Sequence, residues 1–108
     1  VSEVSDTLRA ARKLIEKPEN WCKGANAATA TGEIVTPDHP DAHAMCVQGA
    51  VKAIAGDYVF RRSIMFRLIS VLPYGFESAV AFNDHPDTTH PMVLDLFDRA
   101  IEMEEADG

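Results

Sequence analysis

The sequence predicts a mainly α-helical single domain: a small bundle of four or five helices, with a short two-stranded β-hairpin over residues 27–36. Three observations predict it. Apolar residues recur at helical spacing in Leu8–Ile15 and again in Met92–Ile101. The stretch Tyr58–Leu72 is apolar over a broad arc and is bounded by Asp57, a capping residue, and by the breaker Pro73-Tyr74-Gly75. One segment, 25–36, lacks any helical period and is centred on Thr31-Gly32. At 108 residues, 46% hydrophobic and 25% charged, the chain reads as one folded unit over 1–108. A chain of this length buries about 60–70% of its unfolded surface and holds a modest core without staples.

Taken in order, Ser5-Asp6 reads as the cap of a first helix running to about Lys17, with Leu8, Ala11, Leu14 and Ile15 as its apolar stripe. Pro18 stops it, because the residue before a proline is pushed out of the helical region. Glu19–Gly24 is then a turn or a single helical turn carrying the first cysteine. Ala27–Ala30 and Glu33–Thr36 flank Thr31-Gly32 and give the hairpin. Asp38 and Pro40 open a helix from about Pro40 to Ala55, ended by Gly56. On it, His39, His43, Cys46, Ala50 and Ala53 share a stripe. Gly49 lies inside this helix, where glycine costs about 1 kcal/mol against alanine. Close approach by another backbone is the usual compensation, so the helix is expected to be central.

Asp57 caps the next helix, to about Leu72. Its apolar arc, interrupted only by Arg61, Arg62 and Arg67, predicts burial on most sides or an oligomer contact. A short helix, Glu77–Phe82, leads into a turn-rich loop, Asn83–Asp87. Thr88 caps the last helix, whose stripe is Met92, Val93, Leu96, Phe97, Ala100 and Ile101. The acidic tail 102–108 is expected to fray.

The charge is −7 and lopsided: residues 1–54 carry 7 acids and 6 bases, residues 55–108 carry 10 and 4. This argues against direct nucleic-acid binding through a basic surface, which requires Lys and Arg to displace counterions. It also argues against docking on anionic membranes. No apolar run approaches the ~18 residues of a membrane span. The opening residues show no basic stretch ahead of an apolar one, so no signal peptide is expected. A cytoplasmic location, with reduced thiols, is the expectation.

The two cysteines stand in echoing contexts: Trp21-Cys22-Lys23-Gly24-Ala25 and Cys46-Val47-Gln48-Gly49-Ala50. Cys22, His39, His43 and Cys46 are the ligand types of a zinc site, although their spacing is not a known finger pattern. A Cys22–Cys46 disulfide is conceivable but unusual in a reducing compartment. Cys22 as nucleophile, with His90 or His43 as base and Asn83 or Asp84 as orienting group, would make a small hydrolase or transferase. Asp84 and Asp87 could meet a hard cation, against the plainer reading that the Asn83 and Asp84 side chains bond to local backbone and the loop joins two helices. The plainer reading of the cysteines is core packing, with both Gly-Ala steps marking close backbone approach. Trp21, the one tryptophan, is expected to pack heavily and to give its indole N–H to an acceptor. No phosphate-binding loop, nucleophile elbow or metalloprotease motif is present in the sequence.

These pieces together, Trp21-Cys22-x-Gly24-Ala25, Cys46-x-x-Gly49-Ala50, Phe82-Asn83-Asp84, Thr89-His90-x-x-Val93 and Leu96-Phe97-Asp98-Arg99-Ala100-Ile101, resemble a bacterial and phage family of small uncharacterised proteins, a domain of unknown function. The resemblance covers about residues 8–101. The Ala/Thr-rich hairpin and the long Tyr58–Phe76 segment depart from that family, whose hairpin is more polar and whose middle segment is shorter. The family brings no assigned activity. The functional expectation is a small, non-enzymatic cytoplasmic interaction or regulatory protein, phage- or prophage-associated, without cofactor or metal. It would bind a protein partner or itself, with Trp21, Cys22, Cys46, Asn83 and Asp84 as candidate binding residues.

Overall fold

A computed structural model describes residues 2–107. Five helices and a small three-stranded sheet follow one another: α1 (Glu3–Leu14), a single 3-10 turn (Pro18–Asn20), β1 (Ala27–Ala28), β2 (Ile34–Val35), β3 (Ala44–Met45), α2 (Val47–Ile54), α3 (Tyr58–Ser70), α4 (Ala79–Asp84) and α5 (His90–Asp107). The mainly α architecture and the hairpin over 27–36 are as the sequence predicts.

The first cap lies further upstream than expected. Ser2, not Ser5-Asp6, opens α1: its Oγ accepts from the Ser5 N–H, and the Ser5 Oγ accepts from the Ser2 N–H, both at 3.1 Å. This reciprocal arrangement satisfies two otherwise orphaned donors. The helix ends at Leu14, and Leu14 itself is exposed while Leu8, Ala11 and Ile15 are buried.

In the hairpin, Ala27 faces Val35 and Ala28 faces Ile34. Thr29 N donates to Glu33 O at 2.9 Å, and the three-residue loop between them closes at Gly32, whose φ of +90° disfavours any other residue. A third strand, which the sequence reading missed, pairs antiparallel on the other side of β1: Ala27 with Met45 and Ala28 with Ala44, giving the order β2-β1-β3.

That strand corrects the predicted helix over 40–55. Residues up to Met45 are turn and strand, and α2 starts only at Val47. Cys46 is therefore not inside a helix but is its N-cap, extended at φ −84°, ψ 179°, with Sγ accepting from the Gly49 N–H at 3.3 Å. The His39–His43–Cys46 stripe does not exist. The close approach expected at Gly49 does: a Cβ there would stand 1.7 Å from the backbone oxygen of Asn26. The helix presses directly onto the chain entering β1.

Asp57 caps α3 by accepting from the Val59 and Phe60 N–H groups at 2.8 and 3.1 Å. Only Ile64 and Leu68 of α3 are buried, so the expectation of burial on most sides fails. Ser78, through an Oγ that accepts from Ala81 N, caps α4, which includes Asn83 and Asp84 rather than leaving them in a loop. Thr89, not Thr88, precedes the last helix and accepts from Val93 N through its carbonyl, while Thr88 is packed inward. The acidic segment expected to fray is helical through Asp107. Glu104 and Asp107 pair with Arg67, and Glu105 pairs with Arg9.

The core joins Leu8, Ala11 and Ile15 of α1 to Val47, Ala50 and Val51 of α2, Ile64 and Leu68 of α3, Phe82 of α4 and the α5 stripe Val93, Leu96, Phe97, Ala100 and Ile101. Helix α1 packs against both α2 and α5, so the two ends of the chain share one core. No helix among the described residues is long and apolar enough to cross a membrane.

Candidate functional site

The segment after Pro18 is set by its backbone. Trp21 is extended, at φ −112°, ψ 140°, and runs parallel to Met45. Cys22 N donates to Met45 O at 3.1 Å, and Asn20 Nδ2 donates to His43 O at 2.9 Å. Both cysteines are thus carried to one place, where β3 turns into α2.

Asn83, from the end of α4, closes the place from the other side. It is fully buried, and both ends of its side chain are used. Its Oδ1 accepts from the Trp21 indole N–H at 2.7 Å and from the Val47 backbone N–H at 3.1 Å. Its Nδ2 donates to Cys22 O at 3.1 Å and to Asp84 Oδ1 at 2.9 Å. Asp84 Oδ1 also accepts from Gly24 N at 2.9 Å, and Lys23 Nζ donates to His85 O at 2.7 Å. Val47 N–H is one of the donors that a helix start leaves without a partner in its own helix. Asn83 satisfies it from outside, while Cys46 Sγ satisfies that of Gly49. The end of α4 meets the beginning of α2, the favourable head-to-tail sense of two helix dipoles.

Asn26 completes the arrangement. Its carbonyl accepts from Cys46 N at 3.3 Å, and its Oδ1 lies 3.6 Å from Cys46 Sγ, which donates to it. The Cys22 thiol donates to Ala25 O at 3.6 Å. Burial pushes the Cys22 thiol up to about 11, reinforced by Cys46 and then by Asp84. Burial also raises Cys46, opposed by the N–H groups of Gly49 and Gln48 that point at its sulfur. Near neutral pH both sulfurs are thiols, and the thiolate is the form that attacks or ligates.

All five candidate binding residues, Trp21, Cys22, Cys46, Asn83 and Asp84, are therefore brought together. Of the other groups weighed with them, His90 stands beside the cluster, while His39 and His43 lie apart. His90 Nε2 donates to Ile15 O at 2.7 Å, and its ring lies 5.8 Å from that of Trp21. His39 and His43 line an open polar groove with Thr31 and Glu33 beside the hairpin. Among the described residues, no three His, Cys, Asp or Glu side chains are grouped to hold a metal ion, so Cys22, His39, His43 and Cys46 do not assemble into the zinc site considered above. Asp87 N donates to His85 Nδ1, but the Asn83 and Asp84 side chains, expected to bond to local backbone, instead reach Trp21, Cys22, Val47 and Gly24. Asn26 and the capping role of Cys46 had no signal in the sequence beyond the Gly49 step. The pairing of Trp21 with Asn83 was half-visible, as a donor that required an acceptor.

A second surface stands apart from this cluster. On α3, Tyr58, Val59 and Phe66 are 64, 71 and 60% exposed. Tyr58 and Phe66, with Met65, Ile69, Arg61 and Arg62, line a groove of about 360 Å³, bordered on the α2 side by Gln48 and Lys52. Isolated exposed apolar residues are ordinary, but a contiguous set rimmed by polar groups marks a contact surface.

Fold and site together define a small α-helical domain whose most distinctive residues form a closed polar clamp, with an exposed apolar face on α3 apart from it. The chain belongs to a family of unknown function (DUF6197), whose family model matches residues 1–103. No curated protein and no solved structure matches it.

Proposed function

We propose that this is a non-enzymatic interaction protein of the cytoplasm, in which the Trp21–Cys22–Cys46–Asn83–Asp84 cluster holds the fold and α3 meets the partner. The observation that carries the reading is the exposure of Tyr58, Val59 and Phe66 on one helix that buries only Ile64 and Leu68. A helix serving only its own core would not hold three large apolar side chains in water, where covering each stabilises by about 1.5–3 kcal/mol.

The rival, a hydrolase or transferase using Cys22, is disfavoured by the raised thiol and by the commitment of Asn83 to four partners. The test is a photocrosslinking residue placed at position 66 and, as a control, at exposed Asp98, in protein expressed in its own host. A discrete adduct from position 66 alone supports the reading. Equal capture from both positions, or none from either, contradicts it.

A further inference from the structure

Resting on that reading, we infer that the occupant of the α3 face is an acidic amphipathic helical segment of a partner protein, held by Arg61 and Arg62 beside the apolar groove.

The argument is one of charge left over. The chain has 17 acids and 10 bases, so carboxylates are plentiful. Arg9, Arg12, Arg67 and Arg99 each lie beside one. Among the described residues no such pair includes Arg61 or Arg62. These two are instead held over aromatic rings: Arg61 5.6 Å from the Tyr58 centroid, Arg62 6.0 Å from Tyr58 and 5.7 Å from Phe66. A guanidinium lying near a ring keeps N–H edges free for a carboxylate, and its rotamer is already restricted. Lys52 adds a third cation to the rim of the same groove. The surface offers apolar seats flanked by fixed cations, which fits a helix with aliphatic residues on one face and Asp or Glu beside them.

A second copy of this chain does not fit as well. Residues 58–70 contain no Asp or Glu, so pairing two α3 faces would set arginines near arginines with no carboxylate from either helix. Single-stranded nucleic acid would use the arginines and the rings. It has no aliphatic side chains to place against Met65 and Ile69.

The test uses the full chain and four probes, read by chemical-shift perturbation and fluorescence anisotropy. The first is a helical peptide of about 14 residues, near the length of α3, with Leu on one face and Glu on the rest. The second replaces every Glu with Lys. The third is an oligothymidylate, and the fourth is a phosphatidylserine-containing vesicle.

The expected result is binding of the Glu peptide, with shifts centred on residues 58–69. The affinity falls about tenfold in Arg61→Ala/Arg62→Ala and falls with added salt. Arg62 is exposed and Arg61 half-buried, and neither belongs to the core, so the variant is expected to keep its circular dichroism spectrum. Equal binding of the Lys peptide, an unchanged affinity in the double variant, or concentration-dependent dimerisation through α3 overturns the acidic-helix proposal. Preferential binding of the oligonucleotide or vesicle at the same residues does so too, while leaving α3 as an interaction face. Silence of all four probes overturns this proposal alone if position 66 still crosslinks a partner. Silence of both experiments removes the interaction reading as well.

Discussion

The indole N–H of Trp21 donates to the side-chain oxygen of Asn83 at 2.7 Å, across 62 positions of sequence, and the same oxygen accepts the first N–H of α2. One amide thereby fixes three separate pieces of chain: the Trp21–Gly24 segment, the start of α2 and the end of α4. An asparagine can do this because it offers acceptor and donors together. A carboxylate in its place would lose the bond to Cys22 O and set a like charge against Asp84.

Replacing Asn83 by alanine is expected to cost about 3 kcal/mol, since it strands the Trp21 and Val47 donors and the Cys22 acceptor in a buried place. For a domain of this size the melting temperature falls by more than about 10 °C. Thermal unfolding followed by circular dichroism checks this. A loss under about 1 kcal/mol would show that the clamp does not hold the fold.

Two glycines offer a matched pair. Gly49→Ala places a Cβ against the Asn26 carbonyl at 1.7 Å, so backbone must shift, at a cost of at least about 2 kcal/mol. Gly56→Ala meets nothing within 4 Å and has an ordinary φ, so it is expected to be neutral or stabilising by about 0.5 kcal/mol. Chemical denaturation of both variants decides; similar midpoints would mean that α2 does not rest on Asn26.

Cys46 acts as an N-cap, so its substitutions separate capping from sulfur chemistry. Cys46→Ser keeps an acceptor for Gly49 N and is expected to stay within about 1 kcal/mol of the parent. Cys46→Val removes the cap and is expected to lose about 1–2 kcal/mol despite its apolar fit. Equal stability of the two variants would refute the capping role.

The raised Cys22 thiol has two consequences for pH. With the group moved from 9.0 to about 11, alkylation by iodoacetamide at neutral pH should be slower than that of a free thiol, on the order of 100-fold by thiolate fraction. The unfolded chain releases this proton first as pH rises. The stabilisation is therefore complete below about 9 and is lost as pH climbs through about 11. Cys22→Ala should flatten that alkaline loss in denaturation curves taken across the window. Fast alkylation of the folded protein at pH 7 would reverse the assignment and restore the nucleophile.

What was legible in the sequence follows from how local each signal is. Asp57 before an apolar run, Gly32 between two short strands and the stripe from Met92 to Ile101 are decided within a few residues, and the structure carries all three except Met92, which is exposed. The small-residue step at Gly49 correctly announced a close backbone without saying which one. The strand Ala44–Met45 was hidden because alanine and methionine are good helix formers, and only pairing with β1 makes them extended. Cysteine is not among the usual capping residues, so the true start of α2 had no flag. Asn83 read as a turn former because its composition is that of a turn. Its partners lie on segments that the sequence cannot place together. The exposed face of α3 was masked for a related reason: hydrophobicity announces that a surface is to be covered, not whether its own chain covers it.

The seat of α1 between α2 and α5 also bears on how the molecule is made. Synthesis delivers α1 before the helices that cover it, with Leu8, Ala11 and Ile15 unprotected. Helix α2 follows and covers part of that surface, but Val93, Leu96 and Phe97 belong to α5, the last of the five helices to be made. Helix α5 is therefore a keystone: a chain that lacks it would present an open apolar flank to chaperones and proteases.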